Sequence, residues 1–195
     1  MGYYDNYEGS ICFDNQELKT ISFKALRDKV TYITQSAFLS KATLKDNITL
    51  GGNEVEKDRL NKIISTVALD ELIDRLPDGI NEEVEDGAEN FSGGEKQRVA
   101  LARALVKNND IILMDESTSA LDNLTAFNIE KQLLSDKSKT IISVIHRFND
   151  TIKDYDCIYF LENGQIAEAG TYEELLNKNG KFKNMISTKG DESCE

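Results

Sequence analysis

The chain has 195 residues, enough for one domain with a hydrophobic core, and its 39% apolar and 30% charged residues are typical of a soluble globular protein. Its formal net charge of −12 argues against broad binding to nucleic acids, which requires a basic face. Cys12, Cys157 and Cys194 are far apart and lack metal-ligand spacing, so we expect a reducing compartment and no structural metal.

Apolar periodicity and turn residues predict the elements in chain order. The predicted strands are 9–18 (with a turn), 29–35, 110–116 and 139–147, and Asn163-Gly164 predicts a hairpin in "CIYFLENGQIAEAG". The predicted helices are "EKDRLNKIISTVAL", "DELIDRLPDG", 95–107, "NLTAFNIEKQLLSD" and "TYEELLNKNG". Strands that alternate with helices of this length predict an α/β fold with a mainly parallel sheet.

Polar side chains end three of these strands: Gln35, the pair Asp115-Glu116, and His146. Ligands of open α/β sheets bind at the carboxyl ends of strands. An acid there can hold Mg²⁺ through water, and a neighbouring acid can orient an attacking water. Strands also end in acids simply because loops are polar, and a lone histidine is often structural, so each residue alone leaves both interpretations open.

Residues 91–105, "FSGGEKQRVALARAL", lead from a serine and two glycines into an amphipathic helix. Glycines allow close approach of the backbone to an anion, and a helix N-terminus offers free N–H groups. Ser92, Gly93 and Gly94 therefore form a candidate phosphate grip. An ordinary serine-capped helix is the competing interpretation.

Taken together, these segments resemble the ATP-binding cassette (ABC) ATPases from about Tyr3 to Leu176. The stretch "FSGGEKQRVALARAL" resembles the signature motif and its helix, and "IILMDE" resembles the Walker B strand. The stretches "STSALD", "VIHR" and "VTYITQSAFLSKATLKDNI" resemble the D-loop, histidine switch and glutamine loop. The resemblance implies a P-loop NTPase (RecA-like) core with a helical signature subdomain.

The resemblance also implies ATP and Mg²⁺ as cofactors and a role for each matched residue. Ser92, Gly93 and Gly94, followed by Glu95, would grip the γ-phosphate, while Asp122 would line a dimer seam. Asp115 would support Mg²⁺, and Glu116 would act as general base or orient the attacking water. Gln35 would sense both Mg²⁺ and that water. His146 would contact the γ-phosphate. The chain departs from the family pattern at four positions: Glu95 for glutamine, Ser117 for alanine, Phe148 for leucine and Glu85 for glycine. Glu85 lies in the loop "EEVEDGAEN", and it puts the usual contact of that loop with a membrane domain in doubt.

The family's lysine-bearing phosphate loop, GxxxxGK[ST], does not occur in these residues. We therefore expect a partial nucleotide-binding domain at 1–186, N-terminally truncated, with its helical subdomain at about 40–108 and a flexible tail at 187–195. Because family members pair head to tail, the signature residues would cover ATP bound by a partner. The chain alone is expected to be inactive.

"QSAFLSKATLKDNI" and "RLPDGINEEVEDGAENFSGG" resemble exporter-type transporters, with peptide or lipid exporters as the expected branch. The implied partners are a second nucleotide-binding domain, identical or different, and a transmembrane domain fused upstream, with no nucleic acid. The implied location is the cytoplasmic face of the membrane. The alternatives are a degenerate module that completes or regulates a partner's ATP site, and a soluble ABC ATPase acting on ribosomes or DNA.

Overall fold

The computed structural model describes residues 6–34, 38–51, 54–146 and 148–190. These residues fall into two compact units. The first comprises the chain up to Leu121 together with Lys137–Val144, and the second comprises Asp122–Asp136 together with the chain from Ile145 onward. In the described part of the chain, no helix is both long enough and apolar enough to cross a membrane.

The first unit is built on a parallel sheet of three strands, which are β3 (Val30–Ile33), β4 (Ile111–Asp115) and β5 (Thr140–Val144). Their order in the sheet is β3-β4-β5. The central strand, β4, is the most apolar, and its Ile112 and Met114 are buried in the core. The predicted α/β fold with a mainly parallel sheet is confirmed.

Helix α5 (Gly93–Lys107) is the longest helix of the first unit. Ser92 caps its N-terminus and Asn108 ends it in the left-handed conformation with φ 54°, as the sequence predicts for an asparagine in this place. Val99 and Ala102 are fully buried, because the apolar side chains of α5 repeat at helical spacing.

Shorter elements complete the first unit. They are β1 (Cys12–Phe13), β2 (Gln16–Glu17), α1 (Phe23–Lys29), α2 (Leu44–Thr49), α3 (Lys57–Thr66) and α4 (Asp70–Arg75), with 3-10 turns at Leu18–Thr20, Gly79–Asn81 and Asp86–Ala88. Helices α1 and α2 were not predicted from the sequence.

Arg103 of α5 fastens the segment around α2 to the signature helix. Its guanidinium donates to the Asn47 carbonyl over 2.5 Å, to Asn47 Oδ1 over 2.7 Å and to the Phe38 carbonyl. Burial lowers the pKa of Arg103, while the buried Asn47 amide also bonds the Ser40 carbonyl over 2.9 Å. This network satisfies polar groups that would otherwise be buried without partners.

The second unit contains α6 (Asn123–Ser135), a 3-10 turn (Asp150–Asp154), the hairpin β6 (Ile158–Glu162) and β7 (Gln165–Gly170), then α7 (Tyr172–Asn177) and α8 (Lys181–Gly190). Asn163 and Gly164 both have positive φ in the hairpin turn, as this pair predicts. Ile152, Leu175 and Phe182 form the core cluster of the unit.

Candidate phosphate grip and catalytic acids

The signature turn, residues 92–95, begins α5 with a reciprocal pair of hydrogen bonds. The Ser92 hydroxyl accepts from the Glu95 N–H over 3.3 Å, and Glu95 Oε2 accepts from the Ser92 N–H over 2.8 Å. Gly93 and Gly94 supply the first N–H groups of the helix. These groups have no carbonyl acceptor within the helix. Ser92 and Gly93 are exposed, so an anion can approach these groups from solvent.

The second glycine of the turn is required by packing inside the first unit. A Cβ on Gly94 would lie 3.0 Å from the Ala120 carbonyl oxygen, whereas one on Gly93 would make ordinary contact with the Ala120 methyl group at 3.9 Å. Gln97, almost fully buried, accepts from the Ala120 N–H over 2.9 Å and holds the same segment. The signature turn is thus fixed against residues 119–121, which follow Asp115 and Glu116 in the chain.

Glu95 brings a buried negative charge to the signature turn. Its side chain is 7% exposed and forms an ion pair with the Arg75 guanidinium at the end of α4. Burial raises the pKa of Glu95, but hydrogen bonds from Ser92 and then the charge and hydrogen bond of Arg75 outweigh it, so the pKa is lowered from 4.5. Glu95 is therefore ionised at neutral pH.

Asp115 and Glu116 stand at the carboxyl end of β4. The Tyr32 hydroxyl donates to Asp115 Oδ2 over 2.9 Å and fixes the orientation of that carboxylate. Glu116 has a φ of 46°, and its N–H bonds the Val144 carbonyl of β5 over 3.2 Å. Glutamate rarely adopts this left-handed backbone, and such strain collects at functional sites.

Ser117, where the resembling family has alanine, is 2% exposed. Its hydroxyl makes no hydrogen bond to any described group. The hydroxyl therefore raises the free energy of the folded state next to the two acids.

The remaining predicted site residues are Gln35, Asp122 and His146. Gln35 is outside the described residues. Asp122 begins the second unit, where its carboxylate accepts from the Thr125 N–H over 2.9 Å and caps α6, and this bond lowers its pKa. His146, also of the second unit, is exposed. The signature turn, Asp115 and Glu116 lie in the first unit.

Three residues of the first unit were missed in the sequence: Tyr32, Arg75 and Gln97. Tyr32 reaches Asp115 because β3 and β4 are neighbouring parallel strands, in a register that pairs Tyr32 with Leu113. Gln97 lies one helical turn beyond Gly93, on a helix face whose partner the sequence does not reveal. Glu95 was the one available signal for Arg75, because a buried carboxylate requires a cation or several donors.

The chemistry of these groups fits ATP and Mg²⁺. Consecutive N–H groups at the start of a 15-residue helix suit phosphate oxygens. An oriented carboxylate at Asp115 suits Mg²⁺, which proteins bind through one or two carboxylates together with substrate phosphates. The fold and these groups define a nucleotide-binding α/β domain.

Comparison with known proteins agrees. A protein-family model described as ABC transporter matches residues 1–119. A solved structure titled as a bacterial Atm1-family ABC exporter with ATP bound superimposes with a TM-score of 0.87 and 36% identity, over 96% of this chain and 33% of that one.

Curated relatives are similar over nearly the whole chain. The mitochondrial iron-sulfur clusters transporter ATM1 of Yarrowia lipolytica is 37% identical, with 94% of this chain and 26% of the relative aligned. The ATM1-type heavy metal exporter of Novosphingobium aromaticivorans is also 37% identical, over 99% of this chain and 32% of the relative. The chain thus spans about a third or less of these relatives. It belongs to the ABC transporter family, as a nucleotide-binding domain of exporter type.

Proposed function

We propose that this chain is the ATP-binding and ATP-hydrolysing domain of an exporter, and that its signature turn closes over the γ-phosphate of ATP held by a second ABC domain. The exporter would carry a membrane domain fused upstream, and this domain would lie at the cytoplasmic face. The two ABC domains, identical or different, would pair head to tail.

The observation that carries this proposal is the construction of the signature turn. Ser92 and Gly93 are exposed at the start of α5, while Gly94 and Gln97 fix the turn against Ala120. The N–H groups of Gly93 and Gly94 are thereby held in place, and a phosphate can still approach them from solvent. A preorganised donor pair at a helix N-terminus suits a phosphate that arrives on another protein.

The predicted site residues outside the signature turn would act on ATP that is bound to a phosphate loop. Asp115, oriented by Tyr32, would hold Mg²⁺, which neutralises charge on the phosphates when bound. Glu116 would orient or deprotonate the attacking water, and Gln35 would contact Mg²⁺ and the same water. His146 would contact the γ-phosphate, and Asp122 would lie at the seam between the two domains.

These residues contain no GxxxxGK[ST] loop, and this bears on ATP binding by the chain alone. Each hydrogen bond to a charged group contributes about 1.5–3 kcal/mol, so three missing contacts forfeit roughly 5–9 kcal/mol. Millimolar affinity corresponds to only about 4 kcal/mol. The 195-residue chain by itself should neither bind MgATP usefully nor turn it over, and micromolar affinity in a calorimetric titration would refute this.

A degenerate module that only completes or regulates a partner's site is the second candidate. The acids Asp115 and Glu116 together with His146 favour hydrolysis, because a site that never hydrolyses ATP has no need of them. The coding sequence upstream of Met1 separates the two. A phosphate loop preceded by several transmembrane spans supports the exporter motor, and an in-frame stop supports the module.

A further inference from the structure

Glu95 places a carboxylate at the N-terminus of α5, the end of the helix that would bind a phosphate. It is the third residue of the helix, and its Oε2 accepts from the Ser92 N–H beside the two glycines. A phosphate that approaches Gly93 and Gly94 therefore approaches a fixed negative charge of the same sign. Like charges repel, and repulsion is stronger where water is partly excluded.

The loop before the turn adds to this repulsion. Glu85, Asp86 and Glu89 are exposed along residues 85–89, just before Ser92. Lys96, next to Glu95 in the chain, directs its ammonium group to the Gly87 carbonyl over 3.2 Å. The cation that contacts the Glu95 carboxylate directly is Arg75.

Arg75 pairs with Glu95 Oε1, on the carboxylate oxygen that does not bond the Ser92 N–H. Its side chain remains 61% exposed, so the guanidinium faces both Glu95 and solvent. Arginine presents several donors in a fixed fork and keeps its charge at every accessible pH. At neutral pH the pair is thus a net-neutral unit at the signature turn as long as both partners are present.

We propose that Arg75 is a positioning residue that neutralises Glu95 and thereby makes the signature turn receptive to phosphate, an inference that rests on the proposed function of that turn. Its role is to cancel a charge and hold the Glu95 carboxylate against Ser92. The family has glutamine, a neutral amide, at the position of Glu95. The Arg75–Glu95 pair would supply a net-neutral group at the same position.

A purely structural salt bridge makes a different prediction. Arg75→Gln and Glu95→Gln break the same ion pair, so a structural role moves both variants in the same direction. Charge neutralisation moves them in opposite directions, because the first leaves Glu95 uncompensated and the second leaves Arg75 as a free cation. The double variant restores neutrality and should resemble the unmodified chain.

The test uses the chain as it is, with inorganic tripolyphosphate as the probe and the amide NMR signals of Gly93 and Gly94 as the readout. We expect Arg75→Gln to weaken tripolyphosphate binding roughly two- to fivefold and Glu95→Gln to strengthen it by a similar factor. Arg75→Lys should retain most of the affinity. The differences should shrink as salt is raised, because exposed charges are screened.

Equal shifts in both single variants, no response of the two glycine amides to tripolyphosphate, or no salt dependence of the differences, would overturn the proposal. Thermal unfolding of each variant reports the structural contribution separately. The proposed function has its own readout, MgATP-dependent association with an ABC domain that carries a phosphate loop. Association without the opposite charge effects would sink only the role of Arg75, whereas charge effects without association would sink the proposed function.

Discussion

A Cβ at Gly94 would lie 3.0 Å from the carbonyl oxygen of Ala120, so the signature helix and the turn after β4 meet at backbone distance. We expect Gly94→Ala to lower the free energy of unfolding by about 1–2 kcal/mol, because the Ala120 segment must shift by a few tenths of an ångström. Urea unfolding measures the change. Gly93→Ala is the matched control, since its Cβ has room and alanine favours helix by up to about 1 kcal/mol. Equal stabilities of the two variants would contradict the close contact.

Tyr32→Phe tests the orientation of Asp115. Removal of the hydroxyl deletes the 2.9 Å bond to Oδ2, and we expect a loss of about 0.5–1.5 kcal/mol in the free energy of unfolding. The same substitution in an Asp115→Asn background should cost less, because a charged acceptor makes the stronger bond. A double-mutant cycle with no coupling would show that the bond does not form in solution.

The Tyr32–Asp115 bond also marks the limit of what the sequence can predict. The strand "IILMDE" predicted β4 and placed Asp115 at its end, and the serine, asparagine and glycine signals predicted both caps of α5 and the hairpin turn. Each of these depends on local chemistry. Contacts between segments distant in the chain, such as Tyr32 with Asp115 or Gln97 with Ala120, depend on strand register and helix rotation, which a single sequence does not specify.

Ser117→Ala should stabilise the chain. The hydroxyl is buried with no described partner, and such a group costs roughly 1–3 kcal/mol relative to a satisfied one. We expect the midpoint of urea unfolding to rise. Ser119→Ala, which removes a hydroxyl that accepts from the Gln97 amide over 3.5 Å, should be neutral or destabilising. A lower midpoint for Ser117→Ala would mean that this hydroxyl has a partner in solution.

Glu95→Gln should change how stability depends on pH. Because the folded-state pKa of Glu95 lies below 4.5, its ionised form stabilises the fold above pH 4.5, and this contribution is lost as the pH falls through the folded pKa. At pH 7 we expect the variant to be less stable by about 1 kcal/mol. The gap between the two proteins should close in acid. Glu89→Gln, which removes an exposed carboxylate nearby, controls for net charge, and a gap that persists unchanged into acid would contradict the assignment.

We propose that Ser92 and the two glycines bind a nucleotide held by another ABC domain. Ser92→Asn and Ser92→Asp test it as a matched pair, because both residues cap helices well and they differ by one charge. The negative charge of aspartate interacts favourably with the helix dipole at the N-terminus. Any loss of association in Ser92→Asp therefore does not come from a weakened helix.

The measurement is MgATP-dependent association, by sedimentation, between this chain and an ABC domain that carries an intact phosphate loop. We expect association for the unmodified chain, most of it retained in Ser92→Asn, and at least a tenfold loss in Ser92→Asp, about 1.4 kcal/mol or more. Association that is independent of nucleotide, or equal for the asparagine and aspartate variants, would contradict the proposal.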